Sequence, residues 1–240
     1  MTAEVEPGGI PRLGVERWFQ LDTGAGDPAW NMACDEVLLE GVVRLEAPVL
    51  RFYAWTVPAA SFGFTQRPAE AARLTALRPL IRRPTGGGVV PHDRDWTYTL
   101  VFPPTHWWYA SRARESYQRT HEWVQSALGR LGLETQLAPT AVRGAPTHCF
   151  TRAEQFDVLW RGAKIAGAAQ RRTRDGLLIQ GSVQPPPGAD RAAWEGMMLE
   201  LAAARWKARW EPLRSGAWLR ARAAQLAAAK YALRGQSIVL

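Results

Sequence analysis

The densest run of anion-binding and reactive residues is Arg82-Arg83-Pro84-Thr85-Gly86-Gly87-Gly88-Val89-Val90-Pro91-His92-Asp93. Three successive glycines let the backbone approach a ligand closely and aim N–H groups at an anion. The arginines before them and the His-Asp pair after them add donors suited to a phosphate or carboxyl group. Neither a Walker loop nor a dinucleotide fingerprint has this spacing of lysine and glycine. A second set follows. Cys149 stands in Pro146-Thr147-His148-Cys149-Phe150-Thr151, read as a loop leading into a strand. A neighbouring histidine could lower its pKa and make it a nucleophile; an inert thiol is the competing reading. Fifteen residues later comes Lys164, the only lysine in the first 200 residues. If the intervening strands form a hairpin, Lys164 returns toward Cys149. Its ammonium could then stabilise a thiolate or an oxyanion, or act as a base once neutral.

Composition narrows the setting for this chemistry. With 240 residues, 47% hydrophobic and 22% charged, the chain can bury a full core as one compact domain. No apolar run approaches the roughly 20 residues of a membrane span. Met1 to Gly14 carries two glutamates and no apolar stretch of the secretory kind. A cytoplasmic globular protein is expected. The net charge of +8 comes from 30 basic and 22 acidic residues, and all but Lys164, Lys207 and Lys230 of the basic ones are arginine. Such arginine use reflects genome composition more than nucleic-acid contacts, and no nucleic-acid-binding module is recognisable. A basic surface still favours acidic partners, protein or nucleic acid, by steering. Two cysteines make no disulfide framework, and Cys34 reads as a small core residue on a helix. His92, His106, His121 and His148 lack metal-ligand spacing, so no metal is expected; His106 and His121 read as structural.

The elements that must position these residues are legible in outline. Glu16 to Asp22 reads as a strand. Asp27-Pro28 is a helix start, an N-cap followed by proline at the first helical position, for a helix to about Arg44. Strand-like runs follow at Val49 to Trp55, Ser61 to Phe64, Pro79 to Arg83 and Thr97 to Phe102. A helix is expected from Ser111 to Leu131, with Gly132 as its stop. Phe156 to Trp160, Lys164 to Arg171 and Leu177 to Val183 read as a meander, and Asp190 to Arg205 and Ser215 to Leu233 as helices. Segregated strands and helices predict an α+β fold around a mixed, mostly antiparallel sheet flanked by helices. The expected division is a loose lead over 1–15, a catalytic domain over 16–188 and a helical extension over 189–240 packed on it.

Four separated motifs resemble the family of lipoate-protein ligase A and the cysteine-dependent octanoyltransferases, in the biotin/lipoate protein ligase superfamily. They are Asn31-Met32-Ala33-x-Asp35-Glu36, Leu50-Arg51-Phe52-Tyr53-x-Trp55, the Arg82-to-Asp93 run, and Lys164-Ile165-x-Gly167-x-Ala169-Gln170-Arg171 with Gly181-Ser182. Together they cover about residues 16 to 185. The resemblance implies a tunnel for a lipoyl or octanoyl chain, with Arg83, Gly86, Gly87, Gly88 and His92 lining it. It implies that Lys164 contacts the reacting carbonyl, that Gly167, Ala169 and Ser182 border the chain, and that Asp157 orients the lysine or a nucleotide. Cys149-Phe150 matches the transferase branch. That branch moves octanoyl from an acyl carrier protein thioester, through an acyl-cysteine, to a lysine of a lipoyl domain or a glycine-cleavage H-type protein, with no cofactor. The ligase branch activates free lipoate with ATP and Mg and needs no cysteine; many ligases carry a further C-terminal domain, for which this chain is expected to be too short. Pro91, Ala168 and Gln180 depart from the family pattern. Gln180 stands where a histidine is common, and it can donate a hydrogen bond but not act as a base. The departures at Pro91 and Gln180 are the main support for an alternative to the transferase expected here, a non-catalytic relative that binds acylated carrier domains.

Overall fold

A computed structural model describes residues 14–141, 153–214 and 216–232. In chain order the elements are β1 (Glu16–Gly26), α1 (Pro28–Leu45), β2 (Val49–Trp55), β3 (Ala59–Phe62), α2 (Pro68–Leu74), β4 (Leu80–Arg82), β5 (Val90–His92) and β6 (Trp96–Phe102). Then come α3 (Trp107–Ala110), α4 (Ala113–Arg130), β7 (Gln136–Leu137), β8 (Val158–Trp160), β9 (Ala163–Thr173), β10 (Gly176–Val183), α5 (Arg191–Trp206), β11 (Ala208–Pro212) and α6 (Ala217–Leu226), closed by a π-helical turn at Ala227–Tyr231. Eight strands form one sheet in the order β11-β1-β2-β6-β10-β9-β8-β7. β1 pairs in parallel with β11 and β2, and the other pairings are antiparallel. A small sheet, β4-β3-β5, stands apart. The α+β, mostly antiparallel architecture matches the expectation.

Period-two alternation sorts the central strands between two cores. Leu50, Phe52, Leu100, Phe102, Leu177 and Ile179 pack with Trp123, Val124 and Leu128 of α4 and with Trp194 and Met198 of α5. Val49, Tyr53, Val101 and Leu178, one residue out of phase, pack under Met32, Val37, Leu38 and Val42 of α1, with Leu219 of α6 beside them. α1 starts as its sequence dictates: the Asp27 side chain accepts from the Trp30 N–H at 3.0 Å, ahead of Pro28. An aromatic cluster joins the first core to the sheet edge, with Trp18 stacked on Trp206 at 5.9 Å and Trp123 edge-on to Trp206 at 4.8 Å.

Two expectations need correction. The segment after residue 188 is not a purely helical extension, because β11 completes the edge of the main sheet. Its five residues, Ala-Arg-Trp-Glu-Pro, carry charges and a terminal proline, the marks of an edge strand rather than of a buried one. α5 likewise sinks Trp194, Met198, Ala202 and Trp206 into the first core. The strand expected from Phe156 begins at Val158, since Phe156 has a left-handed φ of 74°.

One buried ion pair fastens α1 to the sheet. Arg51 Nη1 lies 2.6 Å from Asp35 Oδ1, and both side chains are fully buried. Arg51 also donates to the Asn31 carbonyl at 3.0 Å, to Asn31 Oδ1 at 2.8 Å and to Thr23 Oγ1 at 3.0 Å. Removing one partner of such a pair strands the other charge, at about 3–5 kcal/mol. Asp35→Ala should therefore lower unfolding stability in urea by about that amount. The double variant Asp35→Leu/Arg51→Met should recover most of it, and equal losses in the two would contradict the stranded-charge account.

Candidate active site

Between the inner face of β9 and β10 and the small sheet lies a cavity of about 370 Å³. The three-glycine loop joins β4 to β5 and forms part of its wall. Gly87 takes a φ of +87°, and a side chain at Gly63 would collide with its carbonyl, so this crossing requires glycine. Arg83 grips the loop from within: Nε donates to the Gly86 carbonyl at 3.0 Å, Nη2 donates to the same oxygen, and Nη1 reaches Ser61 Oγ at 3.3 Å. From the other side, Thr85 Oγ1 donates to Gln180 Oε1 at 2.7 Å, and Gln180 Nε2 donates to Asp35 Oδ2 at 2.6 Å. The carboxamide of Gln180 thus ties the loop to the buried ion pair. It fills a bridging position that needs both a donor and an acceptor.

At another part of the wall, Lys164 Nζ lies 2.7 Å from Asp157 Oδ2, with 7% and 0% of the two side chains exposed. The β8–β9 hairpin holds them together, and the absence of a side chain at Gly167 admits the lysine: a Cβ there would come 2.7 Å from Lys164 Cε and 2.8 Å from Nζ. Asp157 is fixed further by the Tyr117 hydroxyl, which donates to Oδ1 at 2.6 Å, and by the Glu154 N–H, which donates to Oδ2 at 2.5 Å. Burial, then the charge of Asp157, push the Tyr117 phenol far above its usual pKa, so it stays a neutral donor. His121 Nδ1 donates to the Tyr117 carbonyl at 2.9 Å, and its Nε2 faces Asp157 Oδ1 at 3.9 Å.

His92 is fixed on three sides. Its Nδ1 lies 2.8 Å from Asp95 Oδ2, its Nε2 lies 2.8 Å from Ser61 Oγ, and its ring stacks on Trp55 at 3.9 Å. Asp95 Oδ2 also accepts from Ser182 Oγ at 2.7 Å and from Thr97 Oγ1 at 3.0 Å.

The cavity wall therefore brings together Arg83, Gly87, Gly88, His92, Lys164, Gly167, Ala169, Gln180 and Ser182 from the residues named on sequence grounds. Asp157 stands directly behind Lys164, and Gly86 meets the site through its carbonyl bond to Arg83. Cys149 lies outside the described residues. Cys34 is fully buried among apolar side chains, and burial pushes its thiol up to about 11, as suits a core residue. Among the described residues, no group of three His, Cys, Asp or Glu side chains is placed to hold a metal ion, and no helix is long and apolar enough to cross a membrane. The sequence reading missed Ser61, Tyr117, Met32, Tyr53 and Thr97 on the wall. A hydroxyl at the mid-point of an apolar strand, Ala59-Ala60-Ser61-Phe62, was the one signal for Ser61.

The sequence model of the lipoyl protein ligase A/B catalytic domain matches residues 27–184. The chain belongs to this family. Among curated relatives, an octanoyltransferase LipM from Moorella thermoacetica is 36% identical over 178 residues, covering 70% of this chain and 65% of the relative. An octanoyltransferase LipM from Staphylococcus aureus is 33% identical over 182 residues, covering 70% of this chain and 66% of the relative. The match thus spans just under two thirds of the length of these relatives. Solved structures share the fold. A lipoate-protein ligase A bound with ATP superposes with a TM-score of 0.70 at 18% identity, covering 90% of this chain and 95% of the other. A chain from a bi-partite lipoate protein ligase and its E2 lipoyl domain, from Thermoplasma acidophilum, gives 0.66 at 18% identity, covering 91% and 94%. The lipoate-protein ligase catalytic fold expected from the motifs is the fold observed.

The buried imidazole under the site makes stability depend on pH. Burial lowers the His121 pKa from 6.5 to about 4, although Asp157 opposes the shift. Between these values the unfolded chain binds a proton that the folded chain refuses, so stability falls as pH drops from 6.5 toward 4, by about 3 kcal/mol in all. Thermal unfolding from pH 7 to pH 4 should show a shallower loss in His121→Gln than in the wild type. Parallel profiles would show that His121 is not held neutral.

Proposed function

We propose that this chain is a protein-lipoylation acyltransferase, moving an octanoyl or lipoyl group from an acyl carrier protein thioester to a lysine of a lipoyl domain or glycine-cleavage H-type protein. The observation that carries the reading is the Lys164 ammonium, held 2.7 Å from a fully buried carboxylate on the wall of a cavity enclosed by the glycine loop. The names of the curated relatives give it further support. Cys149 is assigned as the nucleophile. Its thiolate attacks the thioester carbonyl, the carbon–sulfur bond to the carrier breaks, and the carrier thiol leaves with a proton. The acceptor lysine amine then attacks acyl-Cys149, forming the amide and returning the thiol. Each attack places negative charge on the carbonyl oxygen, and an ammonium pre-positioned on the cavity wall stabilises that charge. Arg83, Gly86, Gly87, Gly88, His92, Gly167, Ala169, Gln180 and Ser182 are assigned to shaping the acyl site, and Asp157 to orienting Lys164. Because the thioester is already activated, neither ATP nor a metal is required.

Octanoyl carrier protein and an apo lipoyl domain, mixed with the protein and no ATP, should yield the octanoyl amide on the acceptor. Intact mass should show one octanoyl group on the wild type and on Cys34→Ala, and none on Cys149→Ala. Lys164→Met should lose transfer by about 10²-fold or more while still folded, and because it strands the buried Asp157 carboxylate it should also lower the melting temperature. Product formed only from free lipoate with Mg-ATP would instead place the chain with the ATP-dependent ligases.

A further inference from the structure

Ser61, His92 and Asp95 are linked as a nucleophile, a base and an orienting carboxylate. Asp95 is a carboxylate that accepts three hydrogen bonds on Oδ2, so His92 Nδ1 is the protonated nitrogen and Nε2 carries the lone pair. Arg83 Nη1 donates to Ser61 Oγ, which leaves the serine proton to point at His92 Nε2, 2.8 Å away. Stacking on Trp55 holds the imidazole plane, and Ser61, His92 and Arg83 all line the cavity. The order of contacts is that of a Ser-His-Asp triad with a guanidinium beside the oxygen that attacks.

We propose that Ser61, His92 and Asp95 form a second acyl-transfer centre in this cavity, which hydrolyses medium-chain acyl esters and thioesters without Cys149. The inference rests on the transferase reading only for the chain length of its substrate. Ser61 Oγ bonds to the carbonyl carbon as its proton passes to His92 Nε2. Arg83, released from the hydroxyl, donates to the oxygen that becomes negative. The bond to the leaving alkoxide or thiolate breaks, and that group takes the proton from His92. Water then attacks acyl-Ser61 by the same route, giving the fatty acid and the free serine. Asp95 holds the imidazole in the tautomer that this requires and stabilises the imidazolium.

The probe is p-nitrophenyl octanoate, read by p-nitrophenolate release. Full-length Cys149→Ala should turn it over well above the buffer rate, and Cys149→Ala/Ser61→Ala and Cys149→Ala/His92→Gln should each lose about 10²-fold or more. No turnover in Cys149→Ala, or turnover that survives Ser61→Ala, would overturn the proposal. An octyl fluorophosphonate on the otherwise unaltered protein gives a test free of folding effects. Peptide mapping should place the adduct on Ser61, and an adduct only elsewhere, or none, overturns it. Transfer to a lipoyl domain by the unaltered protein is a separate readout, so its absence would count against the transferase reading and leave this one standing.

Discussion

Asp35 and Arg51 form a charge pair with no solvent access, and the order of the site follows from the need to satisfy it. Removing two charges from water costs several kcal/mol each, recovered only if every remaining lone pair and N–H finds a partner. Arg51 spends its donors on Asp35, on both oxygens of Asn31 and on Thr23. Asp35 Oδ2 accepts from Tyr53, Thr99 and Gln180. These partners lie on β1, α1, β2, β6 and β10, so one pair sets the seat of the helix on four strands. Gln180 then passes the constraint on through Thr85 to the glycine loop. A loop with three glycines has little conformational preference of its own. It holds one shape here because Gln180 grips it at Thr85 and Arg83 grips it at Gly86.

The same device recurs at the two polar positions of the cavity. Asp157 gathers Lys164, Tyr117 and the Glu154 N–H, while Asp95 gathers His92, Thr97 and Ser182. Each carboxylate presents one cationic or basic group to the cavity and uses neutral donors to hold itself still. Such preorganisation lets a side chain meet a developing charge without first shedding other partners. The division of the sheet into two cores keeps these clusters rigid. α4 carries Tyr117 and His121 on the tryptophan-rich side, and α1 carries Asn31 and Asp35 on the other.

What the sequence made legible was whatever depended on local chemistry. The Asp27-Pro28 cap, the glycine loop, the Lys164 strand and the meander around it are written in adjacent residues, and all are present, with only the first meander strand starting two residues late. β11 was not legible, since five residues with charged and proline positions carry no periodic signal. Partnerships across the fold were also hidden. Asp35 and Arg51 both stood in family motifs, yet nothing in either motif says that they meet. Tyr117 falls within the helix expected from Ser111 to Leu131, and only the placement of β8 and β9 against α4 brings its hydroxyl to Asp157. Gln180 looked like a lost base; in three dimensions it is a bridge whose acceptor and donor ends are both occupied.

That bridge changes how the departure at Gln180 should be weighed. A histidine at the same place would supply one donor and one acceptor when neutral, and two donors when protonated. Gln180 must accept from a hydroxyl and donate to a carboxylate at once, and an amide does both without a choice of tautomer or protonation state. Gln180 therefore links the ion pair to the glycine loop mechanically without placing a titratable group at that point of the cavity wall. The titratable groups that carboxylates hold at this wall are Lys164, through Asp157, and His92, through Asp95. Burial without pairing is costly, and here Asp157 is bonded through both oxygens while Asp95 takes three bonds on Oδ2, so each is anchored at the wall of the site.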